Sequence, residues 1–366
     1  MKSRGLYLHI PFCAKKCSYC DFYSFASSEQ QYDKYVTALC DEFLHYKERF
    51  SAFFDSLYFG GGTPSLLGGE RIKKIIDCVK ASLVSPCEIT VECNPADNLL
   101  DTFKVLKQAG VNRISLGVQS AVEQELAVLG RRHTNNDVIR TVEDLRTVGI
   151  NNISLDLMIG LPNQTFNSLK QSLDFLVSLE PKHISCYILK VEKGTELYKN
   201  YNQFSFPDDE ITGDMYLFVC KYLKEQGFEH YEISNFAKPE YRSKHNMKYW
   251  NCEEYLGIGP SAHSFMEGER FYYKRSLNSF FNGESTVTDG DGGSEDEYIM
   301  LRLRLLDGLN FYEFKNRFGK QVPSSILSAA LSLQKHGLVN ISNEKISLTE
   351  KGFLVSNSVI LKLLEK

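Results

Sequence analysis

Six short runs rich in β-forming residues alternate with longer stretches of helical spacing through the first 200 residues of this 366-residue chain. The runs fall near 5–10, 56–60, 88–92, 113–118, 153–158 and 183–188. Between them, Tyr32–Tyr46 and Arg71–Leu83 place apolar residues at helical spacing, and Leu99–Ala109 ends at Gly110 like a capped helix. Few folds accept this order. A strand whose following helix returns the chain to a parallel neighbour is the unit of α/β proteins, and six such units predict an incomplete, TIM-like (β/α)6 barrel.

The residues that follow the strands narrow the function further. They read Cys13-x-x-x-Cys17-x-x-Cys20 after the first, Gly60-Gly61-Gly62-Thr63-Pro64 after the second and Glu92-Cys93-Asn94-Pro95 after the third. Gln119 follows the fourth, and Asp156 precedes Gly160-Leu161-Pro162 at the fifth. In parallel barrels the loops at the carboxyl ends of the strands share one face, and ligands bind there. One composite site is therefore expected. The glycines read either as a turn or as backbone bare enough for a ligand to approach; lacking a following Lys-Ser/Thr, they are not a phosphate loop. Glu92 is either a carboxylate placed to hold an amino group or ribose hydroxyls, or a solvated rim charge. Arg131 and Asp156 can equally form a structural ion pair.

Beyond the barrel of residues 1–200, the alternation stops. Residues 201–288 are irregular and aromatic-rich, and are expected to cover or extend the barrel. They include His230–Phe236, His245-Asn246-Met247-Lys248-Tyr249-Trp250 and Gly259-Pro260-Ser261-Ala262-His263. Residues 289–294, Asp-Gly-Asp-Gly-Gly-Ser, are a linker by composition. Residues 295–366 then read as a helix to Leu306, helices before Gly319 and Gly337, a hairpin over Leu338–Leu348 and a last helix from Thr349, the order of a small, mainly helical, winged-helix-like domain. Its ten Lys+Arg against eight Asp+Glu offer little to a DNA backbone, so packing or partner contact is the expectation.

Charge and cysteine usage set the compartment. The 42 Lys+Arg against 46 Asp+Glu leave a net charge of −4, with no basic excess for nucleic acid. No run of 18 apolar residues is present, and Met1-Lys2-Ser3-Arg4 leads directly into Leu6–Ile10 without a signal-peptide pattern. A soluble, cytoplasmic protein is expected, in which ten cysteines are not a disulfide framework. Cys40, Cys78, Cys87, Cys93, Cys186, Cys220 and Cys252 are scattered, and most read as small buried hydrophobes. Cys13, Cys17 and Cys20 fall within eight positions. Three thiolates on one loop suit an iron–sulfur cluster with one open iron, or zinc, which normally needs a fourth protein ligand. Spacing alone leaves both readings, and coincidence, open.

The run Leu6-Tyr7-Leu8-His9-Ile10-Pro11-Phe12-Cys13-Ala14-Lys15-Lys16-Cys17-Ser18-Tyr19-Cys20-Asp21-Phe22 resembles the signature of the radical S-adenosylmethionine (SAM) family. With GGGTP at 60–64, GVQS at 117–120, DLMIGLP at 156–162 and HNxxYW at 245–250, the chain is most similar to the branch holding the oxygen-independent coproporphyrinogen III oxidases and the HemW heme chaperones. The resemblance covers nearly the whole chain. It implies a [4Fe-4S] cluster on Cys13, Cys17 and Cys20, with SAM chelating the open iron through its amino and carboxylate groups. Tyr7, Gly61 and Glu92 would surround that SAM. A second SAM position would use Tyr19, Gly62, Thr63, Gln119, Arg131 and Asp156, with His263 lining the same pocket. Reductive cleavage of the sulfonium gives a 5′-deoxyadenosyl radical, which a covered barrel mouth would shield from water and oxygen.

Two departures separate the members of that branch. The oxidases resemble one another in a fourth cysteine two residues after the third, where this chain has Phe22. The chaperones share HNxxYW, in which His245 offers an axial imidazole for heme iron and Tyr249 and Trp250 offer flat apolar surface. The expectation is a heme chaperone that binds heme and passes it to an unidentified acceptor protein, with a reductant for its cluster and membrane contact only through the acceptor. The runner-up is a coproporphyrinogen III oxidase; a radical enzyme with another substrate is the third reading. Whether the chain is an enzyme is left open by Phe22. His9 reads as a packed residue beside the cysteine loop.

Overall fold

In the computed structural model, which describes residues 4–96 and 98–365, the first interstrand segment forms helix α1 (Glu29–Phe50). Its buried residues Tyr32, Tyr35, Val36, Leu39, Phe43, Tyr46 and Phe50 recur every three or four positions, so one stripe faces the sheet. Helix α2 (Gly69–Val79) does the same with Ile72, Ile75, Ile76 and Val79. It ends earlier than its periodicity predicts. A tight turn over Lys80–Ser82 intervenes, and Leu83 is taken by the next strand, where it pairs with Phe54. Helix α3 spans Leu100–Gln108.

The six expected strands are β1 (Arg4–Ile10), β2 (Phe54–Gly61), β3 (Leu83–Cys93), β4 (Arg113–Gln119), β5 (Asn152–Ile159) and β6 (His183–Ile188). They pair in parallel and in sequence order. Every residue of β4 is buried, as a strand covered on both faces requires.

The aromatic segment adds to both edges of this sheet. Beyond β6 lie β8 (Asn235–Ala237) and β7 (Glu229–Glu232), both antiparallel. Beyond β1 lie β9 (Tyr255–Ile258), parallel to it, then antiparallel β10 (His263–Met266), β11 (Glu269–Tyr272) and β12 (Val287–Asp291). The expected linker at 289–294 is thus corrected at its start. Asp289, Gly290 and Asp291 belong to β12, because Val287, Thr288 and Asp291 pair with the exposed edge of β11, and Asp289 and Gly290 are carried between them at a register shift despite their flexible composition.

The C-terminal unit runs helix, strand, helix, helix, strand, strand, helix, helix, and the one helix expected from Thr349 is two, Glu350–Leu354 and Ser356–Leu364. Its strands β13 (Leu309–Asn310), β14 (Val339–Ile341) and β15 (Lys345–Leu348) order as β13-β15-β14, the small sheet of a winged helix. One apolar core runs from Leu6 and Leu8 on β1 to Leu303, Leu309 and Phe314 in this unit. Among the described residues, no helix is long and apolar enough to cross a membrane.

Candidate functional site

The loop after β1 carries the three cysteines and is held at both ends by backbone. The N–H of Cys13 donates to the Phe25 carbonyl and that of Phe25 to the Pro11 carbonyl, each at 3.0 Å. Gly62 N–H donates to Ile10 O at 2.8 Å and Thr63 N–H to Phe12 O at 2.7 Å, which fastens the glycine turn beneath the loop. Ser18, between the second and third cysteines, donates from its amide to Leu129 O at 3.1 Å and from Oγ to Val128 O at 2.7 Å. Phe12 anchors the loop by burial against Phe25, Tyr32 and Tyr35.

Cys13, Cys17 and Cys20 all line one cavity of about 380 Å³ at the carboxyl ends of the strands, within the size range of ligand clefts. Burial pushes the Cys20 thiol up, and the neighbouring Cys17 and Cys13 push it the same way, so the three groups share one electrostatic environment. Among the described residues, only a different trio of side chains gathers its ligand atoms within 4.8 Å of one another.

The cavity also collects Gly61, Gly62, Thr63, Glu92, Gln119, Arg131, Asp156 and Tyr19, so all six residues expected at the second SAM position meet in one place. A hydrogen-bonded chain links several of them. Thr63 Oγ1 lies 3.6 Å from Cys13 Sγ, Asn94 Nδ2 donates to Thr63 Oγ1 at 2.9 Å, Arg131 donates to Asn94 Oδ1 at 2.6 Å and to the Tyr19 hydroxyl at 3.1 Å. Arg131 spends its fork on Asn94 and Tyr19, while Asp156 accepts from Ser115 Oγ at 3.1 Å; the alternative of a simple ion pair between them is not what forms. Arg131 Nε is buried without a protein partner, a donor left over beside the cavity.

Two acids face it. Glu92 accepts from the Tyr58 hydroxyl at 2.9 Å and from Gly61 N–H at 3.1 Å, yet burial raises it to about 7. Burial likewise raises Asp156 to about 6. The cavity therefore offers a guanidinium and two poised carboxylates, a set matched to a zwitterion.

Four of the expected residues have surroundings that the sequence did not show. Tyr7 does not line the cavity: it lies one layer below, its ring against Tyr58 and its hydroxyl 3.0 Å from His9 Nδ1. A Cβ on Gly62 would sit 2.5 Å from Phe12 O, so that glycine serves the packing of the cysteine loop as well as any ligand. His263 is exposed on β10 and stacks on Tyr272, away from the cavity-lining residues. His245 is 1% exposed at the opposite, amino end of the strands. Its Nδ1 meets Ser56 Oγ at 3.0 Å and its Nε2 the Tyr249 hydroxyl at 2.8 Å, and burial lowers it to about 3. Neither nitrogen is open to an iron in this conformation. A second trio, Ser154, His183 and Tyr231, repeats the arrangement with both bonds at 2.8 Å, which marks it as a way of closing the barrel floor with neutral imidazoles.

Asn94, Ser115, Gly117 and Tyr187 also line the cavity and were not singled out as site residues from the sequence. Asn94 stands in the strand-end tetrapeptide with Glu92. Ser115 and Gly117 precede Gln119 at alternate positions of β4, a spacing that puts all three on one face.

Comparison with known proteins agrees with this geometry. Residues 7–176 match the radical SAM superfamily and residues 296–355 the HemN C-terminal domain. The heme chaperone HemW of Bacillus subtilis (strain 168) is 34% identical over 97% of this chain and 98% of its own. The heme chaperone HemW of Escherichia coli (strain K12) is 34% identical over 97% of each. Among solved structures, the coproporphyrinogen III oxidase HemN from Escherichia coli superposes with a TM-score of 0.84 over 99% of this chain and 90% of that one; at 21% identity this likeness shows the fold alone.

Proposed function

We propose a heme-carrier function from one premise: this chain belongs to the HemW family of heme chaperones. The observation that carries the reading is the extent of the similarity, which runs through 97% of the chain and is not confined to the radical SAM region. The chain would bind a [4Fe-4S] cluster, SAM and heme, and hand heme to an acceptor protein. The cluster fits what is present, since the three thiols of one loop line the cavity wall, while the fourth cysteine there, Cys93, is buried at the end of β3 with its thiol donating to the Asn94 carbonyl at 3.3 Å and pushed up to about 12 by burial. When bound, it supplies one electron at low potential to a sulfonium held against its open iron.

The chain's own residues do the rest. Glu92 would hold the amino group or ribose hydroxyls of the SAM at the cluster, and at the second SAM position Asp156 would meet a cationic group and Arg131 a carboxylate. Phe22, 68% exposed at the cavity mouth, replaces the thiol that the oxidases resemble one another in having, and presents apolar surface to whatever enters. A cytoplasmic location follows the expectation from the sequence.

The test is anaerobic reconstitution followed by parallel assays. Saturable one-to-one heme binding, transfer to an apo acceptor and no sustained coproporphyrinogen III consumption are expected. Turnover of coproporphyrinogen III would favour the oxidase, and absence of heme binding would remove the carrier reading. A ferric heme spectrum altered in His245→Ala would show that the helix Lys244–Trp250 opens when heme loads.

A further inference from the structure

Cys220, His230 and Glu350 come from three elements that meet only in the folded protein. Cys220 lies in the helix Asp209–Glu225, which packs outside β5 and β6; His230 lies on β7, and Glu350 begins the helix Glu350–Leu354 of the C-terminal unit. The Cys220 sulfur, a ring nitrogen of His230 and a carboxylate oxygen of Glu350 all lie within 4.8 Å of one another. Cys220 is fully buried and the other two are half-buried.

The imidazole is held in place. It stacks on Phe236 at 4.3 Å and meets Phe353 edge-on at 5.5 Å. Its Nε2 faces the Tyr216 hydroxyl at 3.5 Å, and that hydroxyl gives its one proton to the Ile233 carbonyl at 2.8 Å. Nε2 therefore carries the ring proton toward the tyrosine oxygen, which leaves the Nδ1 lone pair free. Nδ1 is buried and has no hydrogen-bond partner. An acid in the first turn of a helix is ordinary, because it complements the amino-terminal dipole. That accounts for a carboxylate at Glu350, but not for its convergence with a buried thiol and an imidazole whose Nδ1 has no hydrogen-bond partner.

We propose that Cys220, His230 and Glu350 form a binding site for a divalent ion of the zinc class, independent of the cysteine loop, that ties the C-terminal unit to the barrel. Thiolate, imidazole and carboxylate are the three donor types zinc takes, whereas magnesium and calcium call for oxygen ligands. On binding, the S–H bond of Cys220 breaks, its proton goes to solvent and a sulfur–metal bond forms; the ion stays divalent and no electron moves. With three protein donors the site is of the open kind, its fourth tetrahedral position left for water, unlike a closed zinc site with four protein ligands.

The experiment uses the full-length protein with its cluster assembled, so that Cys13, Cys17 and Cys20 are occupied, and titrates zinc alone under anaerobic conditions by calorimetry. One zinc per chain is expected, with iron content unchanged and the thermal midpoint raised. Cys220→Ser should abolish uptake. Glu350→Gln, at a half-exposed position that leaves the core intact, should weaken it by about tenfold or more and remove the thermal shift. No uptake, uptake matched by loss of iron, or equal uptake in Cys220→Ser and Glu350→Gln would each overturn the proposal.

Discussion

Glu92 combines two roles that pull in opposite directions. Its carboxyl is raised to about 7 from an ordinary value of 4.5, with burial as the main cause. Between those two values the folded protein holds a proton that the unfolded chain has lost, so folding stability from this group falls as pH rises through the window. In Glu92→Gln that dependence disappears. Urea unfolding at pH 5 and pH 8 should show the loss between them shrinking by an amount on the order of 1–3 kcal/mol. The same substitution should weaken SAM binding tenfold or more at pH 8, because the charge that costs stability is the one that meets a cation. An unchanged pH slope would mean that the carboxyl is solvated. This residue was legible in the sequence as a strand-end acid, but the alternation of β3 could not say whether it met a ligand or water.

The glycine turn after β2 shows how one element supports another. A Cβ at Gly62 would meet Phe12 O at 2.5 Å and Ile10 O at 3.0 Å, and those two carbonyls take the amides of Thr63 and Gly62. Gly62→Val should therefore displace the cysteine loop, and iron and sulfide content should fall together with the SAM response. The sequence, which reads these glycines as a turn or as backbone open to a ligand, does not show the Phe12 carbonyl packed above Gly62. Gly117→Ala is the contrast. Its Cβ would press on the side chains of Arg131, Asn94 and Gln119 at 3.0 Å each, which can shift, so the cluster should assemble normally while SAM binding weakens. Cluster loss in Gly117→Ala but not in Gly62→Val would reverse this assignment.

At the scale of the molecule, the C-terminal unit and the barrel are stitched rather than strung together. Ile233 N–H donates to Arg304 O and Leu306 N–H to Tyr231 O, while Arg242 pairs with Asp307 at 2.7 Å and Arg317 donates to Cys252 O at 2.9 Å. Tyr298, Ile299, Leu303 and Leu305 are buried, each a burial of about 1.5–3 kcal/mol for a side chain of this size. A chain ending at Ser294 should expose the apolar surface that these residues cover, bind the dye ANS and aggregate on mild heating. The full chain should instead unfold in one calorimetric transition. Two separate transitions would show that the units fold independently.

The sequence by itself determined the parts that depend on local spacing. Strand–helix alternation placed β1 to β6 with only their ends in error, since burial on a strand or a helix repeats every two or about 3.6 residues and needs no distant partner to be read. The cysteine loop was legible for the same reason: its three ligands lie within eight residues of one another. What the tertiary structure decided was which way distant side chains point and what they meet. His245 and Ser56 are 189 residues apart, and only the seating of the Lys244–Trp250 helix against β1 and β2 turns a candidate ligand into a hydrogen-bonded plug. Cys220, His230 and Glu350 read as unrelated until the C-terminal unit docks on the barrel. Tyr7 and Glu92 both point inward, yet the parallel register pairs Tyr7 with Tyr58, one layer beneath the Gly61 level at which Glu92 accepts its amide bond. Periodicity assigns a side chain to a face; the stacking of strands that are far apart in the chain assigns it to a layer.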